Sequence, residues 1–282
     1  MGSILGGGDQ TARRAKRPQE LAASRAMPPA EGLAWLGRRP DGRRGPLARA
    51  LFGAAWFVLF RLARLRLRVE GTEHLPAGGY LLAAAVHRGW VDPLIVVRTL
   101  PAEPRPWFLA SGASAFDRPW KESLLRRAGG VLPVWRGGAD LGTHLGSARA
   151  VTEAGCPFVL FVEGAVAGPP DRVHRTRSGV GLFALRMGEA PIVPFALAGS
   201  DDLYRSKRIA VRILPPTSAA ELLGDDLPDV PPRPDTREEL RLARLVTQRL
   251  AERLSAAVVE LYAGTVDPPG ARHGWRWLRR LF

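Results

Sequence analysis

Along the middle of the chain, apolar runs of strand length alternate with stretches of helical period. Leu65–Val69 alternates apolar residues with arginine, the pattern of a half-polar strand. Tyr80–Val86, Val131–Trp135, Pro157–Val162 and Ile192–Leu197 are near-continuous apolar runs, as buried strands require. Trp107–Ser111 and Ile209–Leu214 read as two further strands. The intervening spacing predicts helices over about 118–128, 141–154 and 179–187. Asp92-Pro93 predicts another through about Leu100, with Asp92 as N-cap and proline in the first helical position. From Asp235 to Tyr262, Leu240, Ala243, Val246, Leu250, Leu254, Val258 and Leu261 recur at helical spacing, which predicts a long amphipathic helix. Strands alternating with helices imply an α/β domain with a largely parallel sheet, here spanning 65–263.

The two ends follow other rules. Residues 1–46 are rich in Gly, Pro and Arg without a sustained period, and are expected to lack fixed structure. Nothing in them matches a secretory leader or a myristoylation pattern. Residues 47–64 predict a short amphipathic helix. Eleven uncharged residues lie between Arg49 and Arg61, about 17 Å of helix against a hydrocarbon core of about 30 Å. Such a segment does not span a bilayer. It either lies in the membrane interface, with Trp56, Phe57 and Phe60 inserted and Arg61 and Arg64 among headgroups, or packs on the domain. Residues 264–282 form a basic tail in which Trp275, Trp277 and Phe282 sit among arginines.

Charge adds a second layer. The net charge is +14, and its distribution matters more than its size. Residues 1–46, 47–69 and 268–282 contribute +5, +5 and +4, whereas 70–267 holds 23 charges of each sign. A nucleic-acid enzyme would place its basic charge around a cleft. Basic ends rich in Trp, Phe and Leu suit an anionic membrane surface better, and no specific nucleic acid is expected. Only three of the basic residues are lysine, a bias shared with the abundant Ala, Gly and Pro and carrying little chemical meaning. The single Cys156 excludes an intramolecular disulfide and a multi-cysteine zinc site, and reads as buried and inert. No metal-ligand spacing is present.

Polar residues stand at the carboxyl ends of several apolar strands, where open α/β sheets form ligand crevices. His87 follows the run 80–86 and Asp92 closes the loop after it; Arg136 follows 131–135; Glu163-Gly164 follows 157–162. An imidazole is a general base near neutral pH, and a neighbouring carboxylate fixes its tautomer and stabilises the imidazolium. A strand-end His and a helix-start Asp joined by a short loop can meet. Taken singly each residue has a plainer reading: Asp92 as a helix cap, Arg136 and Glu163 as ion-pair partners, Trp90 and Trp135 as packing, His174 as a solvated loop residue.

The ordered set is more specific. H-x4-D (His87 to Asp92), G-x5-R (Gly130 to Arg136), Phe161-Val162-Glu163-Gly164 and Pro191-Ile192-Val193-Pro194 together resemble the four blocks of the glycerolipid acyltransferases, the lysophosphatidate acyltransferase-like family. The resemblance runs from about Val69 to Ala198 and takes in Arg177-Ser178-Gly179. It implies a single acyltransferase domain with a mixed, largely parallel sheet flanked by helices. It also implies an O-acyltransferase that moves a fatty acyl group from an acyl thioester to the free hydroxyl of a lysophospholipid, with 1-acyl-glycerol-3-phosphate as the leading acceptor. His87 and Asp92 would be catalytic; Arg136, Glu163, Gly164 and Arg177 would bind the acceptor and its phosphate. Acyl-CoA or acyl-carrier protein would be the donor, with no bound cofactor and no metal. The place of work would be the cytoplasmic face of a membrane, in peripheral or monotopic association.

Val86 stands where the family often has Asn, Gly89 where it has Ser or Gln, and Val162-Glu163-Gly164-Ala165-Val166 where it has Pro-Glu-Gly-Thr followed by Arg. These departures bear on the acceptor rather than on the His–Asp chemistry, and Arg172, His174, Arg175 and Arg177 offer compensating charge. A different polar-lipid acceptor, or a non-catalytic lipid-binding protein of the same fold, are the alternative readings.

Overall fold

The computed structural model describes residues 50, 53–54, 57–62, 64–128, 130–134, 141–164, 168–201 and 203–266. The tail 1–46, most of 47–56, Trp135, Arg136 and the C-terminal residues from 267 lie outside the described residues.

Among the described residues seven strands make one sheet in the order β1-β7-β6-β2-β5-β3-β4. They are β1 (Arg66–Glu70), β2 (Tyr80–Ala85), β3 (Trp107–Ser111), β4 (Val131–Val134), β5 (Pro157–Phe161), β6 (Ile192–Ala198) and β7 (Arg208–Ile213). Five of them, from β6 through β4, run parallel; β7 pairs antiparallel with β6 and parallel with β1. The largely parallel sheet expected from the alternation is thus present, and it is mixed, as the resemblance implied. Every residue of β2 and β6 is buried. These are the centre of the sheet, covered on both faces, which is why their sequences are continuous apolar runs. β1 is an edge strand, and its arginines alternate with Leu67 and Val69.

The helices are α1 (Val91–Thr99), α2 (Gly112–Ala115), α3 (Pro119–Ala128), α4 (Leu141–Glu153), α5 (Gly179–Arg186), α6 (Ala219–Leu223) and α7 (Arg237–Ala263), with a π-helical turn at Phe57–Leu62. α1 packs on one face of the sheet through Val91, Ile95 and Val96. The other face carries Leu145, Ala148 and Val151 of α4, Val180 and Phe183 of α5, and the α7 stripe Leu242, Val246, Leu250, Leu254, Val258 and Leu261. α7 starts at Thr236, whose side chain accepts from the Glu239 N–H at 3.3 Å, and Glu238 and Glu239 complement the positive end of the helix. Gly181 lets α5 lie against α7: a Cβ there would meet Ala243 O at 1.9 Å.

Sequence boundaries hold to within one or two residues for the strands and main helices. Two short helices were not anticipated, α2 and α6; α6 begins with a reciprocal capping box between Ser218 and Glu221. Asp92 needs a correction: it is not the N-cap of α1. The helix begins at Val91 with Trp90 in the cap position, so Asp92 and Pro93 fall inside the first turn. Proline is tolerated there because the first four N–H groups of a helix have no intrahelical acceptor. Asp92 is thereby freed to turn its carboxylate back onto the preceding loop.

Candidate active site

β2 and β5 lie side by side, Ala84 in register with Phe161, and the Val162 N–H donates to Ala84 O at 2.9 Å. Both strands therefore deliver their next residues, His87 and Glu163, to one edge of the sheet. The helix following β2 packs on one face and the helix following β5 on the other. Where successive helices diverge in this way, an α/β sheet opens a crevice beyond its strand ends.

His87 Nδ1 lies 2.8 Å from Asp92 Oδ2. The same oxygen accepts the N–H groups of Arg88 at 2.5 Å and Gly89 at 2.8 Å. Five residues of separation thus become a tight loop closed on one carboxylate. The Asp92 side chain is fully buried, while that of His87 keeps 18% of its surface. A carboxylate only accepts, so the imidazole directs Nδ1–H toward it, and in its neutral form it presents the lone pair of Nε2. No other group among the described residues bonds Nε2. The ring stacks on Phe161 with centroids 4.0 Å apart and planes inclined by 15°, which fixes the second degree of freedom of the imidazole.

Glu163 sits beneath this pair rather than beside an open surface. Its side chain is 1% exposed. Oε2 accepts the His87 N–H at 2.6 Å and Oε1 accepts the His174 N–H at 3.1 Å. Both guanidinium ends of Arg88 approach Oε1 at 3.4 Å. Arg88 also donates to His87 O at 2.9 Å, to Pro169 O, and to Arg172 O at 3.3 Å. One buried carboxylate and one buried guanidinium therefore join three segments: the loop after β2, the turn after β5, and 168–177. The sequence singled out Glu163 but passed over Arg88, because an arginine inside a motif of an arginine-rich chain carries no distinguishing spacing.

Gly164 is exposed with φ +62, a left-handed conformation that suits glycine, and a Cβ there would meet Arg177 Cδ at 2.9 Å. The stem of Arg177 thus lies over the Gly164 backbone, its N–H donates to Val162 O at 3.2 Å, and its side chain is exposed. Arg172, His174 and Arg175 are exposed on the same segment. Arg136 lies outside the described residues; β4, which precedes it, runs parallel to β3 and β5 and so leaves the sheet at this edge. Trp90 is half-buried against the α1-side core, and Cys156 is fully buried. Among the described residues no three His, Cys, Asp or Glu side chains gather as metal ligands.

The site can therefore orient a neutral imidazole as a proton acceptor beside an exposed cationic rim. No curated protein matches the chain. A solved structure does: the 1-acyl-sn-glycerophosphate acyltransferase PlsC from Thermotoga maritima superposes with a TM-score of 0.54 at 15% identity, over 88% of this chain and 97% of that one, and so has the same fold. The family model described as Acyltransferase matches residues 66–198. That span opens with the first residue of β1, closes with the last of β6, and contains His87, Asp92, Glu163, Gly164 and Arg177. Residues 66–198 thus match the acyltransferase family that the ordered sequence blocks implied, a family whose acyl donor enters as a substrate.

Proposed function

We propose that the protein transfers a fatty acyl group from an acyl thioester to the free hydroxyl of a lysophospholipid, 1-acyl-glycerol-3-phosphate first among them. The observation that carries this reading is the 2.8 Å contact between His87 Nδ1 and the buried Asp92 carboxylate. His87 Nε2 takes the hydroxyl proton as the acceptor oxygen attacks the thioester carbonyl. Asp92 stabilises the imidazolium that forms. The tetrahedral adduct then collapses: the C–S bond breaks, the thiolate leaves, and the imidazolium returns the proton to it. An ester and a free thiol result, and no residue of the protein is acylated.

In this reading the acceptor phosphate meets Arg177, over the exposed Gly164 backbone, and Arg136 from the chain after β4. Arg172 and Arg175 supply the charge that the altered third block lacks. Glu163, being buried, positions the acceptor through the segment it holds. The work is done at an anionic membrane surface, on its cytoplasmic face. No helix among the described residues is long and apolar enough to cross a membrane, whereas Phe57 and Val58 are more than half exposed next to Arg61, as an interfacial segment requires.

Mass spectrometry of the products from purified protein, acyl-CoA or acyl-carrier protein, and an acceptor panel led by lysophosphatidate tests the proposal. Phosphatidate is expected from the wild type, and His87→Ala is expected to reduce its rate by about 10² to 10⁴-fold. Acylation of another polar lipid would move the acceptor, and His87→Ala activity near wild type would remove the mechanism.

A further inference from the structure

A second feature lies on the same edge of the sheet. Because β7 runs against β6, β7 and β1 begin where β2, β5 and β6 end. The register makes this concrete: Ala85 aligns with Ala196, Ala196 with Arg212, and Arg212 with Glu70. The chain leaving β2 toward His87 therefore advances toward the end of the sheet at which Arg66 and Arg208 enter their strands. There the π-helical turn and β1 enclose an open hollow of about 590 Å³ lined by Phe57, Phe60, Arg61, Arg64, Arg66 and Ser206.

The hollow is cationic without compensation. Among the described residues no acidic side chain lines it, and none of Arg61, Arg64, Arg66 and Arg208 makes an ion pair. Farther along the same strands the arginines are paired: Arg68 with Glu70, and Arg212 with Glu70 and Glu260. Arg66 and Arg208 stand in register on adjacent strands, an arrangement of like charges that is destabilising by itself. Two of the three non-glycine residues with positive φ among the described residues, Arg64 and Ser206, line the same hollow, and backbone of this kind collects at binding sites. The site has the composition of one for phosphate: several guanidinium groups over an aromatic wall.

The lateral offset of β1 from β2 selects the ligand. Three inter-strand steps separate β1 from β2, or about 14 Å at about 4.8 Å each. The pantetheine arm of an acyl thioester donor has about the reach of five extended residues, ~17 Å. We infer that this hollow binds the phosphate-bearing end of the donor's phosphopantetheine arm while the thioester carbonyl lies at His87. The inference rests on the acyl-transfer reading and adds a donor subsite to it.

The test uses the full chain carrying Arg61→Ala, Arg64→Gly and Arg66→Gln together, glycine preserving the positive φ of residue 64. KM is measured for acyl-CoA, for acyl-carrier protein, and for S-acyl pantetheine, which lacks the phosphates. The expected result is a rise of at least tenfold in KM for whichever phosphorylated donor the wild type uses. KM for S-acyl pantetheine, with the acceptor presented in detergent so that membrane binding does not enter, should stay within twofold, and the melting temperature should be unchanged. An equal shift for phosphorylated and unphosphorylated donors, or no shift, overturns the subsite. If the equal shift comes with lost sedimentation on phosphatidylglycerol vesicles, the hollow is a lipid-headgroup site instead. Calorimetric titration with CoA and with holo carrier protein separates this failure from that of the reaction. Should the wild type acylate no acceptor, binding of either ligand that the triple variant weakens tenfold still supports the subsite, and binding of neither overturns it.

Discussion

Replacing Asp92 by Asn isolates the charge of the His–Asp pair while keeping its shape. The Asn carbonyl oxygen can still accept the Arg88 and Gly89 N–H groups, which bond Asp92 at 2.5 and 2.8 Å. Those bonds change from charge-assisted to neutral, a loss of about 1–2 kcal/mol in stability. The catalytic loss is larger. In the transition state His87 becomes an imidazolium whose Nδ1 is 2.8 Å from the carboxylate oxygen. With charge centres about 4 Å apart and an effective dielectric of about 20, the interaction that Asn forfeits is about 4 kcal/mol. At 1.36 kcal/mol per decade, that is a fall of about 10³-fold in kcat. The assay is thiol release and ester formation at saturating donor and acceptor, with a melting curve alongside. A kcat within tenfold of wild type, in a protein that the melting curve shows to be folded at the assay temperature, would refute the claim that the buried carboxylate stabilises a catalytic imidazolium.

Other expectations follow from the same contacts. Glu163→Gln must oppose an amide N–H to one of the donors that Glu163 now accepts, and it removes the charge facing Arg88. Steady-state kinetics should show acceptor kcat/KM reduced by about 10–100-fold, as a misplaced proton acceptor produces, with donor KM unchanged. Gly181→Ala should lower the melting temperature by several degrees, since the new Cβ would sit 1.9 Å from Ala243 O; overpacking of this kind costs about 1–3 kcal/mol. Glu239 has its carboxyl held below the ordinary range, first by its hydrogen bonds to Arg186. Its stabilisation is complete above the unfolded value, about pH 4.3, and is lost as pH falls through the lower folded value. Acid unfolding followed by circular dichroism should therefore begin at higher pH in Arg186→Met, and Glu239→Gln should remove this residue's share of the pH dependence.

Much of the molecule is determined locally. Period two against period 3.6 separates strands from helices wherever one face is buried, so Leu65–Val69 and the α7 stripe are legible without coordinates. Continuous runs such as Tyr80–Ala85 declare a strand covered on both sides. The residues that carry the proton chemistry are also close in sequence: His87 and Asp92 are joined by a loop short enough for their meeting to be anticipated. What periodicity cannot encode is which strand lies beside which, because burial of a face is satisfied by many neighbours. Only the sheet order, with β5 inserted between β2 and β3, brings Glu163 under His87 across 76 positions of chain. Only the antiparallel return of β7 carries Arg66 to the edge where β2 ends. The burial of Arg88 is likewise a tertiary decision, since its partners on Glu163, Pro169 and Arg172 are 75 or more residues away. The alternation of elements and the His–Asp pair are local properties of the chain; packing of the sheet selects which distant charges share its active edge.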